Sequence, residues 1–222
     1  MYSPSVTVVQ MLKSPASTNV KTRLSSVLSL GDRQRLHWQM VESMAMTIHE
    51  FCQLSSHDRR KHTGLLAVAG DIEDHRLVQL SDRLSLPLIP QQGEDLGQRM
   101  WNALNLGLTQ SDLAIVVGSD CPFINLVYLH AATDALSSHD VVLGPATDGG
   151  YVLLGVSQYA PIFSDIAWGT DNVLAQTLER LQQKDISHTL LADLDDIDRP
   201  DDLRRLSSEK LPACFHQWED YI

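Results

Sequence analysis

Apolar residues fall along the chain in two alternating rhythms: short unbroken runs, and longer stretches in which they recur every three or four positions. Val6 to Leu12 is a Val-rich run followed by the turn-forming SPAST, too short for a core helix, and it predicts a buried strand with a loop over Lys13 to Asn19. Asp32 to Leu54 carries Leu36, Met40, Met44, Ile48 and Phe51 at helical spacing behind Gly31, which predicts a helix. The same reading gives strands at Leu65 to Ala69, Leu86 to Ile89, Ala114 to Val117, Val141 to Leu143, Val152 to Val156 and Thr189 to Leu191. Helices are expected at Ile72 to Leu84, Asp95 to Leu108, Leu126 to Leu136, Asp171 to Gln183 and Arg199 to Leu206. Asp95 with Gln98 three residues later matches a capping box.

Strand and helix alternating over most of the length predict an α/β fold, with a mostly parallel central sheet and helices on both faces. The two consecutive strands around Val141 and Val152 break the alternation and predict an antiparallel or edge element. No linker or repeat interrupts the pattern, so residues 1–222 read as one domain. The tail over residues 212–222 carries three aromatics and is expected to pack on the body or on a second copy of the chain, as in a homodimer.

Composition adds limits. A 43% hydrophobic and 20% charged chain is ordinary for a folded protein. Its net charge of −11 opposes nucleic acid and anionic membranes. No run of ~18 apolar residues and no leader pattern at the N-terminus is present, and three cysteines stand without CxxC spacing. The expectation is a cytoplasmic protein with no membrane or nucleic-acid partner. Charge is unevenly placed, however: Asp32 is the first acidic residue, whereas Lys13, Lys21 and Arg23 precede it.

Chemistry-bearing residues concentrate at strand ends. VVGSDCP and DVVLGPATDGGY each deliver a carboxylate, Asp120 and Asp148, beside turn residues at the carboxyl end of a strand, where open α/β sheets bind ligands. Asp120 is a candidate ligand for Mg²⁺ or Mn²⁺, with phosphate oxygens and water completing the shell, or simply a turn residue. Asp148, with Gly149 and Gly150, is a candidate for holding a ligand hydroxyl or acting as a base, or a tight turn. Lys13, Lys21 and Arg23 can neutralise a diphosphate or belong to a solvated loop. Asp198 with Asp201 fits a helix cap, and Asp95 with Arg99 a pair one helical turn apart. Trp168 is a good core residue. Cys121 reads as a small buried side chain rather than a nucleophile.

With these pieces in order, KSPASTNVKTRL, QQGEDLGQRM, VVGSDCP, DVVLGPATDGGYVLLGV, AWGTDNV and DIDRPDDL resemble the nucleotide-diphospho-sugar transferase superfamily with the GT-A fold. More narrowly, the chain resembles a bacterial glycosyltransferase-like family linked to radical-SAM and selenium-domain gene clusters, formerly a domain of unknown function. The resemblance implies a GT-A-like, Rossmann-like sandwich and a metal-dependent glycosyltransferase that moves a sugar from a nucleotide sugar to a small acceptor. Two alternatives stay open: a nucleotidylyltransferase using a nucleoside triphosphate, and a non-catalytic nucleotide-binding protein. It implies metal ligation by Asp120 and Asp198, a catalytic group of Asp148, Lys21 and Arg23 in which the hydroxyl held by Asp148 is a sugar's, and nucleotide-side contacts from Lys13, Arg99, Gly149, Gly150 and Trp168, the last also as an acceptor-side wall. Ser17-Thr18 stand where that family carries Pro-Gly in the first loop.

Overall fold

A computed structural model describes residues 4–54, 62–207, 214, 215, 217 and 218. Seven strands form one sheet: β1 (Val6–Lys13), β2 (Thr63–Ala69), β3 (Leu88–Pro90), β4 (Leu113–Gly118), β5 (Val141–Pro145), β6 (Tyr151–Val156) and β7 (His188–Leu190). Their order is β3-β2-β1-β4-β6-β5-β7. β6 alone runs against the others, pairing antiparallel with both β4 and β5. A five-residue connection from Pro145 to Tyr151 is too short for a crossover and forces this hairpin. The expected antiparallel element therefore exists, but it is inserted in the sheet between β4 and β5 rather than at an edge.

Among the described residues five α-helices flank the sheet: α1 (Leu30–Leu54), α2 (His75–Leu84), α3 (Leu96–Gln110), α4 (Leu126–Ala135) and α5 (Val173–Gln183). Central strands bury both faces, which explains their largely apolar runs. From β1, Val6, Val8 and Leu12 join the core with α1, α2 and α4, while Val9 faces the other core with α3 and α5. Residues i and i+2 of a strand share a face, so this division follows from the pleat.

A third apolar cluster ties the ends of the chain together. Leu24, Leu28, Leu36 and Met40 pack with Ile197, Leu203, Leu206, Phe215 and Trp218. Phe215 and Trp218 are fully buried there, so these tail aromatics dock on the body, and Trp218 Nε1 donates to Gln39 Oε1 at 2.7 Å. Among the described residues no helix is long and apolar enough to cross a membrane.

Boundaries differ from the sequence pattern where a polar side chain sets them. α2 starts at His75 instead of Ile72 because Asp74 accepts the Arg76 N–H at 2.9 Å and caps the helix. The segment expected as a helix from Arg199 is a 3₁₀ helix over Pro200–Ser207. Its cap is Asp202, which accepts from the Asp198 and Arg199 N–H groups at 3.1 and 2.7 Å. Asp198, expected as a cap together with Asp201, keeps its carboxylate for another partner.

Candidate functional site

The carboxyl ends of β1, β4 and β5 open onto a cleft of about 440 Å³. Lys13, Lys21, Asp120, Asp148, Asp196 and Asp198 are among its lining residues, over an apolar wall from β4 and β6. Arg99 and Gly150 also line it.

On one side lies the loop after β1, held by the first turns of α1. Arg33 Nη1 donates to the Val20 carbonyl at 3.1 Å, and Gln34 Nε2 to those of Ala16 and Ser17 at 3.1 and 3.2 Å. His37 Nε2 bonds the Lys13 carbonyl at 2.9 Å. Three helix side chains thus fix a loop that lacks Pro-Gly. Burial pushes the His37 pKa down, more strongly than that carbonyl and Asp120 push it up, so at neutral pH the neutral imidazole donates this bond.

The loop ends at Lys21, whose backbone is left-handed (φ 48°, ψ 41°). That conformation costs a residue with a side chain about 1–2 kcal/mol and is more often met at functional sites. The Lys21 side chain is 1% exposed, and its ammonium lies 2.6 Å from Asp120 Oδ1 and 2.5 Å from the Ile197 carbonyl oxygen. Two residues on, Arg23 Nη1 meets Asp198 Oδ2 at 2.6 Å. Arg23 stands at the rim rather than among the lining residues.

On the floor, Asp120 follows β4. Buried Gln10 donates to Ser119 Oγ at 3.0 Å, and Ser119 Oγ donates to the Met11 carbonyl at 3.0 Å. Ser119 is thereby turned into the sheet while Asp120, with a side chain 56% exposed, faces the cleft. Desolvation at the cleft floor pushes the Asp120 pKa up, but the charge and hydrogen bond of Lys21 pull harder, and the carboxyl lies below the usual range. The Asp120 carbonyl accepts from Ile197 N–H at 2.9 Å, which docks residues 196–198 beside it.

Across β4 lie Asp148 and Asp196. Gly150 N–H donates to Asp148 Oδ1 at 2.9 Å, shaping an exposed turn. Asp196 is partly buried, and burial first, then the charges of Asp148, Asp198 and Asp202, lift its carboxyl to about 6. Among the described residues neither Asp148 nor Asp196 has an ion-pair partner, in contrast to Asp120 and Asp198.

Of the remaining candidates, Arg99 borders the cleft and the others stand apart from it. Gly149 (φ +91°) serves the turn, its carbonyl accepting from Leu174 N–H at 2.9 Å. Trp168 lies against Gly97 of α3 and stacks on Phe163 at 6.3 Å, in a smaller hollow of about 260 Å³ outside the cleft. Its neighbour Gly169 lines the cleft instead. Asp95 caps α3 by accepting from Gln98 N–H at 2.8 Å, and Arg99 Nε turns to the Gly93 carbonyl at 3.0 Å. That geometry replaces the expected Asp95 to Arg99 pair. Cys121 is buried and its thiol is pushed up to about 12 by burial, which leaves it inert. His37 and Asp196 escaped the sequence reading. Asp196 carried a faint signal, as the first acid of DIDRPDDL, and His37 none.

A hard cation fits this donor set. Lys21 already places a positive charge between a carboxylate and a carbonyl oxygen, the donor types Mg²⁺ takes. Among the described residues no three His, Cys, Asp or Glu side chains form a complete cage, so phosphate and water oxygens would fill the rest of the shell.

This sheet order, with charged side chains gathered at the strand carboxyl ends, is that of the nucleotide-diphospho-sugar transferase-like α/β fold. The bacterial family DUF2064, described as uncharacterized proteins conserved in bacteria, matches residues 54–170, and the chain belongs to it. A nucleotide-diphospho-sugar transferase, provisionally so assigned, from Desulfovibrio desulfuricans G20 superposes with a TM-score of 0.81 at 25% identity, over 97% of this chain and 94% of that one. The 4-diphosphocytidyl-2C-methyl-D-erythritol synthase of Anaerococcus prevotii DSM 20548 shares the fold, with a TM-score of 0.59 at 11% identity over 90% and 95% of the two chains. By sequence, the 2-phospho-L-lactate guanylyltransferase of Methanothermobacter thermautotrophicus is 29% identical over 134 residues. That match takes in 60% of this chain, which spans about half (54%) of the relative's length.

Proposed function

We propose that the cleft binds a nucleotide-diphosphate sugar together with Mg²⁺ or Mn²⁺ and transfers the sugar to a hydroxyl of a small acceptor. The observation that carries this reading is the charge polarity across β4. Lys13, Lys21 and Arg23 stand toward the β1 loop, and two carboxylates without an ion-pair partner, Asp148 and Asp196, stand toward β5.

In this reading Lys21 and Arg23 stabilise the charge that grows on the departing diphosphate, an interaction stronger in the transition state than in the ground state. Asp120 and Asp198 would hold the divalent cation, which supplies further neutralisation of the same oxygens. Asp196, with a carboxyl near 6, is mostly ionised at neutral pH yet basic enough to take a proton from an acceptor hydroxyl. Asp148 orients sugar or acceptor. An acceptor that is itself a phosphate would meet two uncompensated carboxylates here, which favours a hydroxyl compound without that charge.

A second reading is nucleotidyl transfer from a nucleoside triphosphate, with pyrophosphate leaving. The guanylyltransferase relative favours it, and the same Lys21 and Arg23 would grip the leaving group. Incubation with nucleotide sugars and, separately, with triphosphates plus phosphorylated metabolites distinguishes the two. Release of a nucleoside diphosphate, with kcat reduced about 10²–10⁴-fold in Asp196→Asn, supports sugar transfer. Pyrophosphate release alone would replace it with the second reading.

A further inference from the structure

The groups suited to grip phosphate are engaged by the carboxylates suited to hold a cation. Lys21 is on Asp120 and Arg23 is on Asp198, both pairs at 2.6 Å, the first joining the β1 loop to the end of β4 and the second joining it to residues 196–198. Lys21 reaches its partner from a left-handed backbone, and its ammonium is closed off from solvent, with the Ile197 carbonyl as an additional acceptor. Asp120, in contrast, remains more than half exposed toward the cleft. A ligand therefore meets the carboxylate, with the ammonium behind it.

We propose that Lys21 and Arg23 are the internal counter-ions of the ligand-free site, so that nucleotide and divalent cation must enter together by an exchange of ionic partners. The inference rests on the nucleotide reading above. A cation arriving alone competes with the Lys21 ammonium for Asp120 and with the Arg23 guanidinium for Asp198, and leaves those positive groups unmatched. A diphosphate arriving alone draws the same two groups away and leaves two carboxylates facing its own negative charge. When both arrive, Asp120 and Asp198 exchange one positive partner for another, and Lys21 and Arg23 turn to phosphate oxygens. Every charge is then matched. Coupling of this kind is reciprocal: each ligand tightens the other by the same factor, on the order of 10–100-fold.

Isothermal titration calorimetry on the full chain tests this with Mn²⁺ alone, each of UDP, GDP, CDP and ADP alone, and each diphosphate in the presence of Mn²⁺, corrected for the complex formed in solution. In the native sequence, Mn²⁺ and the accepted diphosphate each tighten the other at least ~10-fold. Arg23→Gln is the diagnostic variant, because Arg23 is half-exposed and its loss frees Asp198 without opening the core. It binds Mn²⁺ alone more tightly than the native protein, binds the diphosphate alone no more tightly, and shows a smaller coupling. A purely additive site would not give that opposed pattern. A diphosphate bound equally with and without Mn²⁺, or an Arg23→Gln variant whose affinity for Mn²⁺ alone is unchanged or weaker, overturns the exchange while leaving the nucleotide reading standing. Failure of every diphosphate to bind in any combination overturns both.

Discussion

Gly149→Ala tests the geometry of the turn that presents Asp148. Gly149 has φ +91°, a conformation that costs a residue with a side chain about 1–3 kcal/mol. A Cβ built there would lie 2.1 Å from the Asp171 carbonyl oxygen and 2.7 Å from its carbon, and both are backbone atoms that cannot rotate away. The segment entering α5 must retreat, which breaks the 2.9 Å hydrogen bond from Leu174 N–H to the Gly149 carbonyl, at a further cost of about 1 kcal/mol. Together these give a loss of about 2–4 kcal/mol. For a domain of this length, 1 kcal/mol lowers Tm by about 2–4 °C, so Tm should fall by roughly 5–15 °C. Gly169→Ala is the matched control, because Gly169 has φ +79° but open space around its Cβ position. It carries the conformational cost without the clash. Thermal unfolding followed by circular dichroism reads both variants. If Gly149→Ala loses no more than Gly169→Ala, the packing of residues 146–150 on the α5 entry is wrong.

Asp196→Asn should stabilise the protein above pH 6. The folded carboxyl titrates near 6 against about 3.9 in an unfolded chain, so the fold favours the protonated form. The contribution of this group is fully present below about pH 4 and is lost as the pH rises through 6. Because the side chain is partly hydrated, the gain for Asn at pH 7.5 should be on the order of 1–2 kcal/mol, vanishing at pH 4. Urea unfolding at the two pH values checks it, and an equal effect at both would refute it. Trp168→Ala should cost about 2 kcal/mol, since it removes a half-buried ring from Gly97 and Phe163. It should leave Mn²⁺ and diphosphate affinities within about 2-fold, and a large loss of affinity would bring Trp168 into the nucleotide site.

What the sequence revealed, and what it concealed, has a physical pattern. Strands buried on both faces write themselves as largely apolar runs, broken in β1 by Thr7 and Gln10, so β1, β2, β4, β5 and β6 were legible. The alternation also pointed to candidate ligand groups at the strand carboxyl ends, where the fold brings Lys21 to 2.6 Å from Asp120. The insertion of β6 between β4 and β5 was hidden, because pairing partners are not encoded locally in a two-sided strand. Short-range polar choices were also hidden: Asp202 rather than Asp198 caps the last 3₁₀ helix, and Arg99 takes a carbonyl rather than Asp95. Such alternatives differ by one or two hydrogen bonds, and tertiary placement decides among them. Asp196 illustrates the same limit, because its raised pKa comes first from burial in the folded chain and then from a neighbour 48 positions away, Asp148, brought alongside by the Ala146 to Leu194 bridge.

The central claim is that the cleft between the β1 loop and Asp120 grips a nucleotide diphosphate with a divalent cation. Thermal unfolding of the native chain and of Asp120→Asn, with Mn²⁺ and each nucleoside diphosphate in turn, addresses it most directly. Ligand at ~100 times its Kd adds about 2.7 kcal/mol to the folded state, a rise of roughly 5–11 °C. At least one diphosphate with Mn²⁺ should give that rise in the native chain, and Asp120→Asn should lose it. No shift with any diphosphate, or an undiminished shift in Asp120→Asn, would contradict it.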